Sequence, residues 1–138
     1  MRIHVVSDVH GSTAALARAA DGADALVCLG DLILYLDYED SSQGIFADLF
    51  GAENTARFVE LRTADRFAEA HALTAGLWDE VVRREGRDRR AVMDARVRAQ
   101  YAEMFAAMPQ PAYLTYGNVD IPVFWPDYLR PGHTVLDG

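Results

Sequence analysis

The chain has 138 residues, enough for one domain with a real hydrophobic core. Its apolar fraction of 51% and charged fraction of 25% are ordinary for a soluble globular protein, and a net charge of −8 argues against a broad basic face for a nucleic-acid backbone. No apolar run approaches the roughly 20 residues of a membrane helix, and no apolar signal core precedes the first strand pattern, so the sequence reads as cytoplasmic.

The first apolar run is Arg2 to Ser7 and the second is Ala25 to Leu29. Both are short, rich in Val, Ile or Leu, and bounded by Asp and Gly, which suits strands buried on both faces of a parallel sheet. Cys28, the single cysteine, falls inside the second run as a small core hydrophobe. Between the runs, Ser12 to Ala20 reads as a helix that Ser12 or Thr13 can cap. Strand, helix and strand make a βαβ unit. Ile45 to Phe50 reads as a short helix ending at Gly51. Apolar residues from Phe58 to Val81 hold helical spacing over 54–82, and Gly86 ends that helix inside the charged run Arg83 to Arg90. The period resumes from Ala91 to Met108 and stops at Pro109 and Pro111. These two long helices are expected to form an αα-hairpin, an insertion over about 40–108 of the one domain 1–138. Tyr113 to Tyr116 reads as a third strand, and residues 121–131 as irregular chain held by Pro122, Pro126 and Pro131. Thr134 to Leu136 reads as a fourth strand that meets a turn at Asp137-Gly138.

Three polar clusters follow three of these strands: Asp8-Val9-His10, Gly30-Asp31, and Gly117-Asn118-Val119-Asp120. In open α/β sheets, ligands collect beyond the carboxyl ends of the strands. Carboxylate, imidazole and amide oxygen together suit Mn, Fe or Zn better than a soft-metal site would. Asp8 and His10 are two apart, so continued strand geometry would turn them to one side. Asp31 has two carboxylate oxygens for two metals about 3.5–4 Å apart. Each motif alone has a plain alternative as a helix cap or turn dipeptide. All three in this order, each after an apolar strand, point to a metal site.

The order D-x-H, G-D, G-N resembles the calcineurin-like metallophosphoesterase family. The resemblance spans nearly the whole chain but only the N-terminal half of the family fold, a β-sandwich flanked by helices. It implies a dinuclear hydrolase of phosphomonoesters or phosphodiesters, in which a metal-activated hydroxide attacks phosphorus. Carried over, Asp8 and His10 would bind the first metal, Asp31 would bridge, and Asn118 would bind the second. Mn2+ is the expected ion, with Fe, Zn and Ni suited to similar shells. Phosphate esters are the implied substrates, nucleic-acid ends among them. Tyr35, Tyr38 and Asp120 are the residues expected near substrate.

The chain departs from the family pattern in three ways. Val119 stands where the family's Gly-Asn is commonly followed by His, and Leu34 where many members carry the Asp that orients it. This paired change resembles a subgroup of small bacterial phosphodiesterases and leaves the general acid unassigned. The family's later metal-binding histidines do not occur before Gly138, so 1–138 is expected to be an incomplete fragment with weak or no activity. Such a piece is expected to expose apolar surface and to form homo-oligomers or strand-swapped dimers. The alternative function is a non-catalytic interaction module on the same fold. His133 is followed by Val135 where a second histidine would be needed, so it reads as structural; His71 reads as solvated and His4 as a satisfied sheet residue. The Arg83 to Arg90 run reads as a solvated turn.

Overall fold

The computed structural model describes residues 1–136. Asp137 and Gly138, where the terminal turn is expected, lie outside the described residues. In chain order the elements are β1 (Ile3–Val6), α1 (Thr13–Arg18), β2 (Ala25–Cys28), α2 (Ile45–Phe50), α3 (Ala52–Thr63), α4 (Phe67–Glu85), α5 (Arg89–Ala107), β3 (Ala112–Leu114), a 3-10 helix (Pro122–Asp127) and β4 (His133–Val135). They form two compact units.

The first unit joins Met1–Ile33 to the chain from Val97 onward. Its sheet has the order β1-β2-β3-β4, with every pair parallel. The register aligns His4, Leu26, Ala112 and His133 in one row across the sheet. This row faces the core. Leu26 and Ala112 are fully buried, the His4 ring donates from Nδ1 to the Ala19 carbonyl just past α1, and the His133 ring meets Phe105 of α5. Phe105, Tyr101 and Trp125 pack ring against ring at 5.6–6.2 Å between centroids and close this core.

The alternate row is Val5, Val27, Tyr113 and Thr134. Val5 is 59% exposed, Ile3 45% and Tyr113 38%. The sheet is therefore covered on one face, a correction to the expectation of burial on both. A continuous apolar run records that both faces suit an apolar contact; it does not record whether the second contact is present among the described residues. Two further expectations change. Ser12 makes no side-chain cap, and α1 is only six residues long. Residues 122–127 are not irregular but a 3-10 turn, with Pro122 at its start where a missing N–H costs nothing.

The second unit is Leu34–Arg96 and is wholly helical in its regular structure. The expected single helix over 54–82 is two helices, α3 and α4, broken at Asp65 with φ +58°. Asp tolerates the left-handed region better than most residues, so the break carries no Gly or Pro. Phe46, Phe50, Phe58 and Trp78 form its aromatic core, with centroids 4.5–5.2 Å apart. Gly86 ends α4 in the left-handed conformation, as its position predicts, and Asp88 caps α5 by accepting the Ala91 N–H at 2.8 Å. The arginine run is absorbed locally. Arg87 pairs with Glu85, Arg89 pairs with Asp79 and lies over the Trp78 ring, and Arg90 lies 3.9 Å from Asp94. No helix among the described residues is long and apolar enough to cross a membrane.

Candidate metal centre

Three loops at the carboxyl ends of β1, β2 and β3 carry the polar clusters, all within the first unit. The first two are tied backbone to backbone. The His10 N–H donates to the Asp31 carbonyl at 2.9 Å and the Gly11 N–H to the Leu32 carbonyl at 2.8 Å. The second and third touch so closely that only glycine fits between them. A Cβ on Gly30 would lie 2.2 Å from the Gly117 nitrogen, and one on Gly117 would lie 2.0 Å from the Asp31 carboxylate. The two glycines of the Gly-Asp and Gly-Asn pairs are thus required by loop contact.

Asp8, His10 and Asp31 bring one donor atom each to within 4.8 Å of one another. Among the described residues no other such group of His, Cys, Asp or Glu forms. The strand alternation invoked for Asp8 and His10 is not what brings them together, because β1 ends at Val6. Their backbones turn instead through the left-handed region, with φ +54° at Asp8 and +43° at His10; Asp31 follows at +55°. Four non-glycine residues in the chain adopt positive φ among those described, and three of them are these three donors. Such conformations cost about 1–3 kcal/mol each and persist where the surroundings impose them. The three potential donors thus share an uncommon backbone conformation.

The imidazole of His10 is oriented from behind. Its Nδ1 lies 3.0 Å from the Ile33 carbonyl, which can only accept, so Nδ1 carries the proton. In the neutral ring Nε2 then presents a lone pair toward Asp8 Oδ1, 3.7 Å away. A cation between these two acceptors would satisfy both. A metal-binding histidine commonly has this arrangement, with a carbonyl holding the far nitrogen. The donor set fits a divalent ion.

Asp120 was expected beside substrate. Its carboxylate instead accepts from the Asp31 N–H (2.7 Å), the Gly117 N–H (3.0 Å), the Leu32 N–H (3.1 Å) and the Tyr101 hydroxyl (3.1 Å). In return Asp31 Oδ1 accepts the Val119 N–H at 3.2 Å. Asn118 sits exposed in the turn held between them. Tyr101 is fully buried, and burial pushes its phenol well above the ordinary value, so it stays a donor. Burial likewise raises the Cys28 thiol, and Asp120 adds to that shift; the side chain is fully buried in the core. Sequence reasoning missed Tyr101, which reads as one more core residue of a helix. Only the fourth residue of Gly-Asn-Val-Asp offered a signal for the contact.

Tyr35 and Tyr38 belong to the second unit. Tyr38 is 56% exposed, and the Tyr35 carbonyl accepts the Phe46 N–H at 2.8 Å. His71 is exposed, as expected. His133 is half-buried in β4, where Nδ1 accepts the Arg130 N–H at 3.2 Å, a structural role.

No curated protein matches the chain, and no solved structure does. The sequence model of the calcineurin-like phosphoesterases, which use divalent metals, matches residues 1–136. That match covers the sheet, the second unit and all three donor loops, and the strained Asp8, His10 and Asp31 supply donors of the kind such chemistry needs. The chain belongs to the calcineurin-like phosphoesterase family.

Proposed function

We propose that the protein hydrolyses a phosphomonoester or phosphodiester at a dinuclear metal centre. Asp8 and His10 would hold one ion, Asn118 a second, and Asp31 would serve both. Mn2+ is the leading candidate, with Fe, Zn and Ni suited to the same donors. The observation that supports this most is the left-handed backbone at Asp8, His10 and Asp31 together. Asp visits this region singly, as Asp65 does, but three such residues whose donor atoms lie within 4.8 Å of one another are what a bound ion would explain.

Divalent ions bound there would neutralise phosphoryl charge and lower the pKa of water to supply a nucleophile. The chain's own part is positional. Asp8 and His10 present their lone pairs on one side of a turn, the Ile33 carbonyl fixes the His10 tautomer, and the contact with Asp120 fixes the Asp31 loop. Val119 has no proton to give, so the leaving group takes its proton from solvent or from a residue elsewhere.

The test is Mn2+-dependent hydrolysis of bis-p-nitrophenyl phosphate and p-nitrophenyl phosphate by the longest natural reading frame that contains this chain. Bound metal and turnover that Asp31→Asn and His10→Ala both abolish are expected. Asn keeps the left-handed tendency of Asp, so Asp31→Asn removes charge without forcing the loop. Turnover unaffected by both variants, or no metal and no turnover in the wild type, would overturn the proposal; the second result would favour the interaction-module reading.

A further inference from the structure

We infer that Tyr101 and Asp120 form a positioning pair that sets the geometry of two metal-bearing loops from the helical core, an inference that rests on the metal reading of the site. Each Asp120 oxygen takes two donors. Oδ2 accepts from Asp31 and Gly117, and Oδ1 from Leu32 and Tyr101. An ionised carboxylate has about four lone-pair sites, so this one is filled by the protein itself. Asp120 therefore acts on the site through the loops and not by touching substrate.

Three of the four donors are backbone N–H groups of the loops that follow β2 and β3. Moving the carboxylate moves both loops together. What fixes the carboxylate is Tyr101. Its hydroxyl donates to Asp120 Oδ1 and accepts the Ile121 N–H at 2.7 Å, so it holds the chain on both sides of the Asp120 peptide. Its ring is fully buried between Phe105 and Trp125 and has no room to swing. Hydrogen bonds to a charged acceptor are stronger than neutral ones. Loss of the hydroxyl leaves Oδ1 one donor short and Ile121 without its acceptor.

The consequence reaches the ligand. Asp31 has its N–H on Asp120 and its carboxylate on the Val119 N–H, so both ends of this residue depend on the 117–121 turn. Removing a partner that orients a ligand typically lowers metal affinity by about 10- to 100-fold. A purely structural tyrosine would instead change overall stability and leave the affinity of the remaining folded protein unchanged.

Tyr101→Phe in residues 1–138 is measured in two ways. In metal-free protein, amide exchange is followed by NMR. Leu32 and Ile121 should exchange at least about tenfold faster, with Leu26 and Leu114 in the strands unchanged, because a hydrogen-bonded amide is released only at the loops. In Mn2+ titrations, affinity should fall by about tenfold. Asp120→Asn places an amide donor against backbone donors and should reduce affinity further. Val97→Ala, buried on the same helix one turn away, removes packing and should leave Mn2+ affinity unchanged. Wild-type affinity in Tyr101→Phe, or an equal loss in Val97→Ala, would overturn the inference. If neither residues 1–138 nor the longest reading frame that contains them binds Mn2+, the metal reading fails by itself. The exchange arm then decides alone, and unchanged Leu32 and Ile121 amides would overturn the pair.

Discussion

Asp31 and Asp120, 89 residues apart in sequence, hold each other's loops: the Asp31 N–H donates to the Asp120 carboxylate at 2.7 Å, and the Asp31 carboxylate accepts from Val119 at 3.2 Å. This reciprocal contact is possible only because Gly30 and Gly117 present no side chains where the loops meet. The Gly-Asp and Gly-Asn motifs are two halves of one contact, each with a glycine for approach and a polar residue for chemistry.

Substituting either glycine should separate these roles. In Gly30→Ala, the new methyl meets backbone at 2.2 Å and the residue must hold φ +95°, so the fold loses about 3 kcal/mol or more. In Gly117→Ala, the nearest atoms are those of the Asp31 carboxylate at 2.0–2.4 Å, a side chain that can turn away, and the Asp31 backbone nitrogen follows at 2.8 Å, a milder backbone clash than the 2.2 Å at Gly30. Urea denaturation should show a smaller stability loss for Gly117→Ala than for Gly30→Ala. Mn2+ titration should show an affinity loss of about 100-fold, because the displaced group is a candidate ligand. Wild-type Mn2+ affinity in Gly117→Ala would contradict the proposed role of Asp31.

Strain at Asp8 gives a prediction of opposite sign. Asp8 is exposed, and its carboxylate accepts a local hydrogen bond from Ser7, 2.6 Å long. Glycine takes φ +54° without the Cβ penalty, so Asp8→Gly should stabilise the metal-free chain by about 0.5–1 kcal/mol, after the entropy of the more flexible unfolded chain is set against it. Thermal melts should show a rise of a few degrees, while Mn2+ binding is lost. A fall in melting temperature would mean that the turn imposes no strain.

The parts of this fold that were legible in sequence are those set by neighbours in sequence. The strands lie within a residue or two of their apolar runs, and Gly51 and Gly86 end helices where they should. The break at Asp65 was hidden, since an aspartate on a helix surface looks the same whether or not it turns left-handed. The donors of Asp8, His10 and Asp31 do come together, but left-handed turns after β1, and not continued strand alternation, bring Asp8 and His10 to each other. Tyr101, Leu32 and Asp31 reach Asp120 from 19 to 89 residues away, and no local pattern encodes those three contacts; only the Gly117 donor is close in sequence.

His133 predicts a pH dependence of stability. Burial holds its pKa below the ordinary 6.5, and the neighbouring Arg130 adds to that shift. The native ring is then neutral where the unfolded ring has already taken up a proton. Its contribution to stability is fully present above pH 6.5 and is lost as pH falls through the depressed native value. Urea denaturation at pH 7 and pH 5 should show the wild type losing stability, and His133→Gln should lose less over the same interval. An identical slope in both would remove His133 as the cause.

The open sheet face gives the last prediction. Ile3, Val5 and Tyr113 stand 45%, 59% and 38% exposed on strands whose other side is buried, with Leu136 at 53% just past β4. The register sets Val5, Val27, Tyr113 and Thr134 side by side, so the exposed apolar groups form one surface and not scattered points. A surface of that kind binds apolar dyes and associates with itself. Residues 1–138 should therefore enhance anilinonaphthalene sulfonate fluorescence, and sedimentation should show association that grows with concentration. Val5→Thr with Tyr113→Thr keeps residues suited to a strand and removes apolar area. The double variant should lose about half or more of the dye signal and shift toward monomer, because hydrophobic attraction scales with the area removed from water. Dye binding and association unchanged in that variant would place the adhesive surface elsewhere on the chain.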